Sequence, residues 1–155
     1  MAKFLFVIDL QPEFAKGIVG KMIYNRALNY VYKNKDKYNY IYAAVYHQDP
    51  LAFSNMQRKL GWDGCTTVAP IEFPYNSISY HSGYSISEYP NFTKDDVVDV
   101  IGFDTDACVL SACFHLFDTD CDLNILTDYI YSSGGETMHK HGLAVMKRQF
   151  KKCLK

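Results

Sequence analysis

The chain has 155 residues, room for one ordinary domain over residues 1–155 and little more. Hydrophobic residues at 48% against charged residues at 21% are the balance of a packed soluble globule, which excludes a disordered chain. Lys and Arg (16) nearly cancel Asp and Glu (17) to leave a net charge of −1, so a partner held by bulk charge, nucleic acid above all, is not expected.

The first predicted element is the unbroken apolar run Phe4–Ile8, which suits a strand covered on both faces of a parallel sheet. It is too short for a secretory core, has no small-residue cleavage site after it, and no stretch approaches the roughly 20 apolar residues of a membrane span. A helix follows over about Val19 to Tyr32, where Ile23, Ala27, Tyr30 and Val31 recur at helical spacing. After the polar break Asn34–Lys37, Tyr40–Tyr46 reads as the second strand. A long irregular region then runs through Pro50, Gly61, Gly64, Pro70 and Pro74, with a short strand Ile78–Tyr80 that ends at His81. Val97–Ile101 is again apolar and β-branched, closed by Gly102. From Cys108, the residues Val109, Ala112, Cys113, Leu116 and Phe117 fall on one face of a helix. Leu123–Leu126 is a last strand that ends near Asp128, and a closing helix carries Leu143, Met146 and Phe150. Strands alternating with helices predict a single three-layer α/β/α domain of Rossmann-like type around a mainly parallel sheet.

Thirteen tyrosines, seven of them between Tyr24 and Tyr46, are read as core-edge and strand residues. A stacking surface for single-stranded nucleic acid would also need a basic groove, and Arg26, Arg58 and Arg148 are scattered. Five cysteines without a CxxC read as reduced thiols of a cytoplasmic protein, with no structural zinc site. Cys65, Cys113, Cys121 and Cys153 are read as small buried hydrophobes.

In open α/β sheets, ligands bind beyond the carboxyl ends of the strands. Three chemically capable side chains arrive there: Asp9 after the first strand, His81 after the short one, and Cys108 beyond the segment Gly102–Ala107. Each alone has a structural reading, Asp9 as a turn residue, His81 as a loop histidine, Cys108 as a buried thiol. Their convergence is what points to chemistry. Cys108 also opens a helix, where free backbone N–H groups favour a thiolate and can hold an oxyanion. A thiol, a general base and an oxyanion hole are the parts of an acyl-transfer enzyme that works through a thioester.

Ile8-Asp9-Leu10-Gln11-Pro12-Glu13-Phe14 resembles the D-x-Q-x-x-F opening of the isochorismatase-like cysteine hydrolases, a superfamily that includes nicotinamidases and N-carbamoylsarcosine amidase. Gly102-Phe103-Asp104-Thr105-Asp106-Ala107-Cys108-Val109 resembles their G-x-x-T-D-x-C-V nucleophile segment. The resemblance runs over nearly the whole chain, with Ser132-Ser133 before the final helix also in place. It implies an isochorismatase-like fold and an Asp–Lys–Cys triad, with Asp9 as the proton relay and Cys108 as the nucleophile. At the lysine's position stands His81, in His81-Ser82-Gly83-Tyr84-Ser85, and no lysine lies between Lys59 and Lys94. His81 either supplies the cation when protonated by its acidic neighbour Asp9, or acts as a Cys–His base, or marks a chain that has kept the pocket and lost the reaction.

The resemblance further implies a cis peptide, here Phe103–Asp104, and an oxyanion hole from the backbone N–H groups of Asp104 and Cys108. The Asp104 side chain either faces the pocket, where it would favour an amine-bearing substrate, or caps a backbone amide. Gln11, Phe14, Trp62 and Tyr84 are the expected pocket wall, Trp62 serving equally well as a plug for the irregular region. Nicotinamidases also carry a metal on an Asp-x-His pair and a further histidine. Here His47 and Asp49 stand in reversed order and Val45 occupies the acid's place, so no metal and no cofactor is expected. His139 and His141 read as solvated, and His115 as an edge of the packing. The expected activity is hydrolysis of an amide or related bond in a small molecule by a homo-oligomer. The alternative is an inactive relative that binds a small ligand or a partner.

Overall fold

The computed structural model describes residues 1–48, 54–62 and 71–155. Five strands, β1 (Lys3–Ile8), β2 (Tyr40–Tyr46), β3 (Ser77–His81), β4 (Val97–Phe103) and β5 (Asp122–Tyr131), form one sheet in the order β3-β2-β1-β4-β5. Every pairing is parallel. The sheet grows outward in both directions from β1, so the order reverses between β1 and β4, the crevice where open α/β sheets place ligands.

Alternation along the strands sorts the core into two halves. Leu5 and Val7 of β1, Ile41, Ala43 and Val45 of β2, and Ile101 and Phe103 of β4 face α1 (Gly17–Asn34). Phe6 and Ile8, Tyr42 and Ala44, Val98 and Val100 face the other side, against α3 (Cys108–Asp118) and α4 (Glu136–Phe150). Helix α1 buries Gly20, Ile23, Tyr24, Ala27 and Val31, a stripe at steps of three and four residues. Helix α3 buries Cys108, Val109, Ala112, Cys113 and Leu116, the face expected from its periodicity. Three layers result.

Three local differences from expectation have physical causes. The region beyond β2 contains a helix, α2 (Asn55–Leu60), started by Ser54, whose side chain accepts from the Gln57 N–H, and stopped by Gly61 at φ 64°. Strand β5 continues past Asp128 to Tyr131: it advances from Ile125 to Ile130 while β4 advances only from Val100 to Gly102, a bulge that a simple strand pattern hides. The chain end docks on that irregular edge, with Leu154 bridged to Ile125 and the Thr127 N–H donating to the Lys155 carbonyl. Cys65, Asp49 and the segment's other expected markers Pro50, Gly64 and Pro70 lie outside the described residues. Among the described residues no helix is long and apolar enough to cross a membrane.

Gly102 does not end β4 but lies inside it, at φ 125°, pressed against β1. A Cβ there would overlap the Ile8 carbonyl oxygen, so only glycine lets β4 pass and deliver the segment that leads to Cys108. Gly102→Ala should lower the unfolding free energy by about 3 kcal/mol or more, measured by urea denaturation. A change below about 1 kcal/mol would show that the strands can part without cost.

Candidate active site

The carboxyl ends of β1, β3 and β4 lie on one side of the sheet, and each contributes one group. Asp9 follows β1 directly. Its backbone sits at φ 47°, in the left-handed region that aspartate tolerates better than most residues, with its N–H donating to the Ala44 carbonyl (2.9 Å). His81 ends β3, and Cys108 is the first residue of α3. All three are buried. A carboxylate oxygen of Asp9, a ring nitrogen of His81 and Sγ of Cys108 lie within 4.8 Å of one another.

The hydrogen bonds set the protonation of the pair. His81 Nε2 is 2.7 Å from Asp9 Oδ1, and Nδ1 is 2.8 Å from the Gly83 carbonyl oxygen. A carbonyl only accepts, so Nδ1 carries a hydrogen, and a carboxylate opposite Nε2 asks for a second. Burial works against a charged ring, but the hydrogen bond and charge of Asp9, helped by Gly83, outweigh it and lift His81 above its usual 6.5. The ring therefore keeps its second proton to higher pH than a free histidine does. The other Asp9 oxygen, Oδ2, is buried with no hydrogen-bond partner among the described residues. Asp99, a second buried acid, makes a useful contrast. Its Oδ1 accepts from Asn124, and its Oδ2 meets both Tyr38 and Lys3, so nothing is left over for chemistry.

Cys108 departs from the expectation of an acidic thiol. Burial, then the negative charge of Asp9, Asp104 and Asp106, pushes its pKa well up, so the sulfur rests as a neutral thiol. Position at a helix start favours a thiolate by a few tenths to about 2 kcal/mol, too little against desolvation beside three carboxylates. Helix α3 nonetheless has free donors. Its N-cap is Ala107, which offers no capping side chain. The Ala107 and Val109 N–H groups are both spent on the Asp104 carbonyl, whereas those of Asp104 and Cys108 have no acceptor among the described residues.

Asp104 does both things left open for it. Its Oδ1 accepts from the Ser133 N–H (2.7 Å) and its Oδ2 from the Ser133 hydroxyl (2.6 Å), yet it also lines the cavity in front of Cys108. Burial raises its pKa to about 6 despite those two bonds. Asp106 is held by the Ser132 hydroxyl (2.6 Å). The Phe103–Asp104 peptide is cis. The loop is backed by α4, whose Gly142 comes so close that a Cβ would stand 2.8 Å from Thr105 backbone atoms.

The cavity holds about 280 Å³. Phe14, Trp62 and Tyr84, all expected in its wall, line it together with Tyr46, Met56, Leu60, Asp104, Asp106, Cys108 and Ser133. Phe14 and Trp62 stack with ring centroids 6.0 Å apart and 25° between planes. Gln11 is a correction: it does not line the cavity. Its side-chain amide donates to the Tyr46 carbonyl (2.9 Å) and accepts from the Tyr46 N–H (2.8 Å), which ties the loop after β1 to the end of β2. Sequence reasoning passed over Tyr46, whose strand position signals packing, and Met56 and Leu60, which fall in the stretch read as irregular. Asp106 and Ser133 stood in quoted segments, and only their position relative to Cys108 gives them a place here.

The metal position that the resemblance implies does not fit this chain. Val45, where an acid would be needed, is buried in the core facing α1. His47 packs its ring against Tyr80 at the sheet edge, beside a separate hollow of about 430 Å³. His139 is not solvated as expected: its Nδ1 is 2.8 Å from the Thr105 hydroxyl and its ring lies against Tyr131. His141 is exposed, and His115 stacks on Tyr89 at the edge of the packing.

No family model and no curated protein matches the chain. Solved structures do. The pyrazinamidase/nicotinamidase of Streptococcus mutans UA159 superposes with a TM-score of 0.76 at 15% identity, over 95% of this chain and 96% of that one. The pyrazinamidase of Pyrococcus horikoshii in complex with zinc gives 0.70 at 17% identity, over 100% and 98%. An isochorismatase-like hydrolase from Alkaliphilus metalliredigens gives 0.67 at 17% identity, over 96% and 92%. At such identities the likeness is one of fold, and the fold is isochorismatase-like.

The buried pair has a pH signature. A histidine whose folded pKa is raised stabilises the fold fully below its unfolded value, here 6.5, and loses that contribution as pH rises through the higher folded value. His81→Ala leaves Asp9 buried and unpaired, a loss of about 3–5 kcal/mol at pH 6. The gap between the two chains should narrow by pH 9, measured by urea denaturation. A gap independent of pH would mean that His81 is not charged in the folded chain.

Proposed function

We propose that this chain is a cysteine hydrolase of a small amide or related carbonyl compound, working through a thioester without a metal. The observation that carries this reading is the buried Asp9 carboxylate, held by His81 through one oxygen and without a partner among the described residues on the other, gathered with the His81 ring and the Cys108 thiol within 4.8 Å. The shared fold of amidases supports the reaction class.

In this scheme Asp9 Oδ2 takes the thiol proton as Sγ adds to the substrate carbonyl carbon, so no free thiolate is needed beforehand. The carbonyl electron pair moves onto oxygen, where the N–H groups of Asp104 and Cys108 receive it. The C–N bond then breaks, and the departing amine takes the proton from Asp9. Water attacks the thioester, gives one proton back to Asp9, and the C–S bond breaks as that proton returns to sulfur. An acid leaves. His81 keeps Asp9 in orientation and supplies the positive charge against which the negative intermediate forms. A cavity of about 280 Å³, at the low end of ligand pockets, limits the substrate to a small molecule that stacks against Phe14 and Trp62. Four reduced cysteines among the described residues suit the cytoplasm.

A second reading is a ligand-binding protein that retains the pocket and has lost turnover. The burial of the Cys108 thiol beside Asp9, Asp104 and Asp106, which disfavours a thiolate, speaks in its favour.

Against a panel of small amides, Cys108→Ala should lower kcat/KM at least about a thousandfold while the ligand still binds. Binding by the native chain with no turnover of any panel member would select the second reading. His81→Gln, which removes the charge, should cost about 10²–10³-fold, and His81→Lys should restore much of the loss. The native rate should fall on the alkaline side as His81 loses its proton at a pH above 6.5, and the lysine variant should hold its rate there. Superimposable pH profiles for the two would remove His81 from the reaction.

A further inference from the structure

Among the described residues, one group of acid, imidazole and thiol side chains gathers its ligand atoms in a single small volume: Asp9, His81 and Cys108, within 4.8 Å of one another. We propose that these three residues are also a zinc site, with an Asp9 carboxylate oxygen, His81 Nε2 and Cys108 Sγ as ligands and the fourth position open to the cavity. The position differs from the Asp-x-His one that the chain lacks. Imidazole, thiolate and carboxylate in a three-ligand set with an open fourth place are the donors zinc prefers.

The surroundings are built for it. The Gly83 carbonyl holds a hydrogen on Nδ1 (2.8 Å), which turns Nε2 toward the triad, the outer contact that orients ligating histidines generally. Asp9 Oδ2 is wholly buried and has no hydrogen-bond partner among the described residues, so one strong donor atom is unspent. Neighbouring ligand atoms around a tetrahedral zinc are about 3.3–3.6 Å apart, so the His81–Asp9 contact of 2.7 Å opens by about half an ångström. Zinc would replace the proton on Nε2 and the proton on sulfur. The two negative charges of carboxylate and thiolate then cancel those of the ion, which removes the penalty of a lone buried charge. Cys108 faces the cavity, which provides the way in.

A sulfur bound to zinc is a weaker nucleophile toward a carbonyl, and the ion also takes up Asp9, the group that would accept the thiol proton. Resting on the hydrolase reading, this makes zinc a reversible stopper of the active site rather than its cofactor. A lysine in place of His81 would leave only two good ligands.

The test uses the full chain stripped with EDTA. Zinc titrated against a chromophoric chelator should bind in one equivalent, and cobalt should give a thiolate charge-transfer band with the intense visible absorption of tetrahedral geometry. Cys108→Ala should abolish the band, and His81→Lys should weaken zinc binding at least about a hundredfold with circular dichroism unchanged. Should a variant not fold, zinc protection of native Cys108 from iodoacetamide, mapped by mass spectrometry, decides. Absence of stoichiometric binding, binding that survives in both variants, or alkylation of Cys108 indifferent to zinc would overturn the site. Amide turnover is assayed separately in EDTA. Zinc binding without turnover refutes the hydrolase and leaves the site, and turnover without zinc binding does the reverse.

Discussion

A buried carboxylate with one oxygen paired and the other bare is the constraint around which this molecule is arranged. Asp9 is wholly removed from water, where an isolated charge would cost several kcal/mol. The 2.7 Å contact with His81 offsets that cost, and the Gly83 carbonyl behind His81 keeps the ring turned toward it. Three strand ends must agree for this to happen: β1 supplies the acid, β3 the imidazole, and β4 leads to the thiol. The tight passage of Gly102 over the Ile8 carbonyl holds β4 close enough to β1 for the last of these.

The charge balance in front of Cys108 follows from the same arrangement. Asp104 and Asp106 stand near the sulfur, each tied to a serine of the segment after β5, while His81 is paired with Asp9. In the proposed hydrolysis a thiol in that field gives up its proton only as it reacts, with Asp9 as the partner in that step. The cavity adds an apolar wall of Phe14, Tyr46, Trp62 and Tyr84 over this polar floor. On the proposed reading, shape and stacking would select the substrate and the polar floor would perform the chemistry.

Much of this was legible in the chain. Unbroken apolar runs announced covered parallel strands, and the stripe through Val109, Ala112, Cys113 and Leu116 announced α3 and placed Cys108 at its start. Asp9, His81 and Cys108 could be brought to one sheet edge because strand ends in such folds share a side. The errors came from contacts that leave no periodic trace. Helix α2 is six residues long, below any repeat, and shows itself only in its caps Ser54 and Gly61. The bulge in β5 depends on its partner, and the role of Gln11 depends on a backbone 35 residues away.

By itself the order of residues determined the layered α/β architecture and which strand ends share a side, since hydrophobic periodicity is local and strand direction follows from right-handed crossovers. Tertiary structure alone decided their ionisation. Whether Cys108 is a thiolate or a thiol, and whether His81 is charged, turns on burial and on acids brought in from distant segments. Electrostatic energy depends on distance and dielectric, and neither is written in a linear sequence.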